Sequence, residues 1–229
     1  GLGRGRLTSH IIYPENGRLP AIQENAYRIE FGKIPERPVR SALGINYGTD
    51  GPEDRPLSDR CLVGFNAGPP VNPSFYNNNL QIIQNKDHVV IITEMVHDAR
   101  IVPMDNRPHA PEEIGLWSGD SRGYWDGDSL VVETRNFNGL TNSFSAIGSS
   151  ENKHLTEKFT RVSEDRVDYE FTVDDPSTFT DKIVGLIPIY KVAGQVYEYA
   201  CHEGNYGMVN ILRGARVAEE RGDSPIAPN

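Results

Sequence analysis

The sequence predicts a mainly β protein: an antiparallel meander closing into a lipocalin-like barrel or curved half-barrel, with an irregular N-terminal wrap and one C-terminal helix. Three observations carry this expectation. From Leu80 to Cys201, apolar runs of strand length follow one another with turn residues between them. One of these runs sets Val167, Tyr169, Phe171 and Val173 against Asp168, Glu170, Thr172 and Asp174, the alternation of a strand with one dry and one wet face. The 22 glycines and 16 prolines are scattered between apolar runs rather than gathered in one tract, so they read as turns.

Residues 1–75 hold little periodicity. Prolines at 14, 20, 35, 38, 52, 56, 69, 70 and 73 break every candidate element except a short helix over Ala21–Phe31, so this third reads as an extension wrapped on the core. Residues 76–220 form the expected barrel domain with its helix. Strands are expected at Leu80–Gln84, Val89–Val96, Ala99–Met104, Tyr124–Trp125, Ser129–Phe137, Leu155–Val162, Val167–Val173, Ile183–Val192 and Val196–Cys201. Asp126-Gly127 supplies a strong hairpin signal. A meander this long leaves two exposed edges, which curling into a barrel removes; a flat sandwich is the alternative. Met208, Ile211, Leu212 and Ala215 recur at helical spacing, giving a helix from about Asn205 to Glu220. Gly207 and Gly214 weaken it by about 1 kcal/mol each, so it depends on packing against the barrel. Residues 221–229 read as a loose tail.

The formal charge is −9, distributed as +3 over residues 1–40 and −12 over the rest. Such a surface repels nucleic acid, and no apolar run approaches the roughly 18 to 20 residues needed to cross a bilayer. The opening Gly1 reads as a processed form or a fragment. The two cysteines, Cys61 and Cys201, are too far apart for a CxxC redox or zinc motif, which leaves buried free thiols or one long-range disulfide.

Side-chain alternation also selects the residues able to do chemistry. Leu155, Glu157 and Phe159 share one face, so the Glu157 carboxylate intrudes into an apolar row. By the same rule Asn136 follows Leu130, Val132 and Thr134 inward, and Glu94 follows Val90 and Ile92, though Val89, Ile91, Thr93 and Met95 make that strand nearly two-sided. An inward carboxylate is either paired with a structural cation such as Arg100, Arg122 or Arg161, or tuned by desolvation for acid–base work. His97, His109, His154 and His202 stand beside acids or at strand ends, but no metal-ligand spacing joins them, and neither a metal nor another cofactor is expected. Trp125, near Asp120 and Arg122, reads either as a turn aromatic capping the core or as a surface suited to a sugar-like or aromatic ligand. No nucleophile elbow and no phosphate-cradling loop is present.

With these residues assembled, the chain resembles a large group of exported bacterial proteins to which no activity is attached. The resemblance runs from about Leu7 to Arg216 through Tyr76-Asn-Asn-Asn79, Glu94-Met-Val-His-Asp-Ala-Arg100, Arg107-Pro-His109, Gly119-Asp-Ser-Arg-Gly123, Ser150-Glu-Asn-Lys-His154 and Cys201-His-Glu-Gly-Asn-Tyr-Gly-Met208. It implies a periplasmic or secreted protein with a shared β fold, and with export it implies a Cys61–Cys201 disulfide.

Two functional readings follow. One is an exported small-molecule lyase, isomerase or hydrolase, with Glu157 or Glu94 as base, His97, His154 or His202 as proton partner, and Arg100, Arg122, Asn136 and Trp125 on the ligand. The other is a non-catalytic ligand-binding module or a subunit of an extracellular assembly, and oligomerisation stays open. The enzyme reading expects Glu157, His154, His202 and at least one of Glu94, His97 or Arg100 to border a common cavity.

Overall fold

Alternating apolar residues make strands here because each strand finds a neighbour on which to bury one face. The computed structural model of the protein describes residues 9–26, 48–139 and 150–223. In chain order the strands are β1 (Ile11–Tyr13), β2 (Leu80–Gln84), β3 (His88–Thr93), β4 (Ala99–Pro103), β5 (Asp120–Asp126), β6 (Ser129–Arg135), β7 (His154–Ser163), β8 (Arg166–Asp174) and β9 (Ile183–Tyr190), followed by helix α1 (Tyr206–Glu220).

The strands form two antiparallel sheets. The larger is six-stranded in the order β1-β9-β8-β7-β6-β5, and the smaller is the meander β2-β3-β4. The mainly β, antiparallel architecture with one C-terminal helix is therefore present, and the closed barrel is not: no ladder joins the two sheets among the described residues. Their inner faces instead share one core. Val89, Ile91 and Val102 of the small sheet pack with Leu130, Val132, Leu155, Phe159, Tyr169, Phe171, Val173, Ile183 and Ile187 of the large one. The two sheets approach closely along β4 and β5. At Gly123 a side chain would collide with Met104 Sδ at 2.5 Å and with Val102 Cγ1 at 2.8 Å, so the missing side chain is what lets β4 lie against β5.

The register of β8 agrees with its alternation. Tyr169, Phe171 and Val173 are buried while Glu170 and Asp174 are exposed; Val167, at the strand's start, is half-buried. On β3 the buried set is Val89, Ile91 and Thr93, so Val90 and Ile92 face outward and the expected inward row ending in Glu94 is the wrong one. The two parities are almost equally apolar in sequence, and only the covering sheet distinguishes them. The strand also stops at Thr93. Glu94 opens a short 3₁₀ turn over Met95–His97 in which Val96 (φ 60°) and His97 (φ 46°) are left-handed.

The N-terminal third contributes more than a wrap, since β1 pairs with β9 at the edge of the large sheet and Ile22 bridges to Phe179. Residues 21–26 are not helical, and the remainder of the expected Ala21–Phe31 helix lies outside the described residues. Val196–Cys201 is not a strand. It has strand-like composition but pairs with no strand among the described residues, and it is held by single contacts: Tyr199 O accepts from His97 Nδ1 at 2.9 Å, and Cys201 is bonded to Cys61 with Cα atoms 5.7 Å apart. Helix α1 begins where its cap dictates, with Asn205 Oδ1 accepting the Met208 N–H at 3.2 Å. It does not bury any residue against the sheets; Arg216 holds it instead to the carbonyls of Thr49 and Asp50.

Candidate functional site

Glu157 lies on the inner face of β7 and is fully buried. Both carboxylate oxygens are used. Arg100, reaching across from β4, donates to Oε2 through Nη1 and to Oε1 through Nη2 at 3.0 Å, and the Tyr169 hydroxyl donates to Oε1 at 2.6 Å. Burial pulls the Arg100 pKa down, but the adjacent Glu157 charge outweighs it and holds the guanidinium above its ordinary value. Burial, reinforced by Glu157, pushes the Tyr169 hydroxyl far up, so it stays a donor. Lys153 is buried nearby, its Nζ 3.3 Å from Pro69 O and 4.0 Å above the Phe137 ring. Burial drives its pKa down to about 7, against the opposing pull of Asp175 and Glu157. The result is a saturated ionic centre at which every strong group meets a partner inside the fold.

The other predicted residues are dispersed around this centre. His154 projects from the outer face of β7, opposite in parity to Glu157, and borders a groove with Asn136, Glu112 and Glu151. Asn136 donates from Nδ2 to the carbonyls of Ala110 and Pro111, which turns it out of the core row that Thr134 ends. Glu94 accepts from the backbone and side chain of Asn79 at 3.2 and 2.8 Å and so pins the start of β2. His97 and His202 face each other, ring centroids 6.0 Å apart, beside the disulfide. Arg122 is occupied by Asp120 Oδ1 at 2.6 Å and by the carbonyls of Arg107 and Pro108, which fastens the loop before β5. The structure therefore joins Glu157 to Arg100, His97 to His202 and His154 to Asn136, and does not bring these pairs to one cavity.

A larger open space lies elsewhere among the described residues. It is a groove of about 960 Å3 between β2 of the small sheet and the turn end of the large one. Antiparallel strands return their turns to alternate ends, so the β5–β6, β7–β8 and β9 termini gather there. Leu130, Phe159, Val167 and Ile189 form its apolar floor, Leu80 and Ile82 its other wall, and Trp125, 54% exposed, stands at the rim. The rim charges are mixed: Arg161, Arg166 and Lys191 alternate with Asp128, Glu164 and Asp165. Arg166 is engaged by Asp168 at 2.6 Å.

No family model, curated protein or solved structure matches this chain. The site therefore rests on its own geometry. Trp125 is the one predicted ligand residue that lines the groove. The floor residues were legible only as core, because nothing in an apolar row says where the facing sheet ends. A second polar position was also missed. Asp98 accepts the Gly64 N–H at 3.2 Å and, with Thr93, Arg100 and Ser118, lines a cavity of about 40 Å3. Burial raises its pKa to about 6, against the Gly64 hydrogen bond and the charge of His97. Among the described residues no group of three or more His, Cys, Asp or Glu is placed to hold a metal.

Proposed function

We propose that the chain is a non-catalytic ligand-binding module of an exported protein, and that its ligand lies in the groove at the turn end of the large sheet. The observation that carries this reading is the separation of chemistry from space. Groups suited to acid–base work are tied into the fold or spread over its surface, whereas the groove, of ligand size, is floored by apolar side chains and rimmed by charge. Such a lining suits a molecule with an apolar body and polar ends. The disulfide is consistent with an oxidising compartment, and a periplasmic or secreted location belongs to the same proposal. So does membership of the exported bacterial group.

The test is titration with an anilinonaphthalene sulfonate dye, whose emission rises in apolar surroundings. Saturable binding that Ile189→Glu weakens at least tenfold and Glu112→Gln, on another face, leaves unchanged supports the groove. Absence of saturable binding, or indifference to Ile189→Glu, overturns it.

One observation favours the enzyme reading. Asp98, its pKa raised to about 6 by burial, lines with Arg100 a cavity with room for a few waters. In that reading Asp98 would be the acid–base group of a lyase, isomerase or hydrolase acting on a very small substrate. Its test is turnover of two- and three-carbon hydroxy acids by natively purified protein, with loss in Asp98→Asn.

A further inference from the structure

β2 (Leu80–Gln84) pairs with β3 on one side and with no strand on the other among the described residues. The hydrogen-bond phase of that pair fixes which backbone groups face the open side. Asn85 N–H donates to His88 O at 2.9 Å, and Glu94 N–H donates to Asn79 O at 3.0 Å. Both contacts fall in the register that sets Ile83 opposite Val90 and Gln81 opposite Ile92. Alternate residues of an antiparallel strand turn their N–H and C=O to opposite neighbours. Residues 79, 81, 83 and 85 thus address β3, and Leu80, Ile82 and Gln84 direct their N–H and C=O groups outward.

Those three residues line the large groove, and so does Gln81. Side chains of both parities border one space only when it runs along a strand's edge rather than over a face. The groove therefore lies beside the open ladder. Natural edges are blunted by lysine, proline, bulges or inward charges, and Leu80-Gln-Ile-Ile-Gln84 has none of these over a regular five-residue pairing.

We propose that the groove binds an extended peptide segment of another protein, which adds to β2 as a further strand. This rests on the ligand-binding reading and gives the ligand its class. Backbone groups of the peptide would meet Leu80, Ile82 and Gln84, and its alternate side chains would enter the apolar floor at Leu130, Phe159 and Ile189. Charge selects the partner. β2 is uncharged and the rim charges balance, so the inserted stretch is uncharged; the −9 chain favours basic flanks and opposes a second copy of itself.

The probe is a peptide of alternating valine and threonine with lysines at both ends. It is compared with the same peptide N-methylated at every second residue, and amide hydrogen exchange of the full chain is followed. The peptide is expected to slow exchange at Leu80, Ile82 and Gln84 at least tenfold, with N-methylation weakening binding at least tenfold. Ile82→Pro, which removes an outward N–H and leaves the β3 ladder intact, should abolish peptide binding while the Val89 and Ile91 amides, paired with β4, keep their slow exchange. Peptide binding without protection of those amides, or indifferent to N-methylation and to Ile82→Pro, overturns strand addition. Dye binding without peptide binding overturns it and leaves the ligand-binding reading standing, whereas failure of both removes both. Protection of the same amides without peptide, rising with protein concentration alongside a dimer in sedimentation, would assign the edge to a second copy.

Discussion

Glu157 and Phe159 stand two residues apart on the same face of β7, yet they have opposite fates. Above Glu157 the small sheet supplies Arg100, and the carboxylate is sealed into an ion pair with no room for a ligand. Phe159, equally inward, lines the groove where that cover gives out. An inward carboxylate is thus no marker of a site when the facing sheet brings its counter-ion. An apolar row that outruns its cover is the better marker. The ionic centre supports the fold, and the groove is available for binding.

The sharpest way to break this comparison is Glu157→Gln. Removing one partner strands the buried Arg100 charge, so unfolding stability should fall by about 3 to 5 kcal/mol in urea titrations, with dye affinity unchanged in the folded fraction. A loss below about 1 kcal/mol would make the centre a tuned site rather than a support. Joint replacement of Glu157 by Leu and Arg100 by Met should recover most of the loss, because two apolar groups leave no charge behind.

Replacing Cys61 and Cys201 by Ser comes next. The bridge closes a separation of 140 residues, and its loss should cost about 2 to 4 kcal/mol. Cys201 anchors the segment whose Gly194, Gln195 and Val196 wall the groove, so dye affinity should weaken as well. Unchanged affinity would show that this wall stands without its anchor.

Lys153→Met should have a smaller effect with a pH signature. The folded pKa of about 7 lies below the unfolded value near 10.4, so the unfolded chain binds more protons between them and native stability rises with pH across that window. The penalty is complete below pH 7. Methionine removes it, and the variant should gain about 1 to 3 kcal/mol at pH 6, with the difference closing toward pH 10. A difference independent of pH would mean that Lys153 is held charged by its partners. The smallest effect belongs to the rim. Trp125→Ala should weaken dye binding by about 1 kcal/mol and alter stability by no more than about 0.5 kcal/mol in thermal melts.

The spans of β2, β6, β7, β8 and α1 are legible in the sequence to within a few residues because their signals are local: apolar runs bounded by turns, the hairpin Asp126-Gly127 and the helical spacing of Met208, Ile211, Leu212 and Ala215. β1 is not legible, since its three residues carry no pattern of their own, nor is the irregular course of Val196–Cys201, where strand composition lacks a partner among the described residues. The inward assignment of Glu157 agrees with the structure because one face of β7 is plainly apolar. The inward assignment of Glu94 does not, because both faces of β3 are.

The spans of β6, β7 and β8, the burial of Glu157 and the amphipathic run of α1 were thus written in the sequence by itself, each through a period that neighbouring residues satisfy. Closure of the meander, the identity of the Glu157 partners and the position of the groove were decided only by tertiary structure. Two sheets approach where Gly123 permits and part beyond β2, and this cover is a relation between residues far apart in the chain. Periodicity records which face is buried, but it holds no trace of what buries it or where that cover ends.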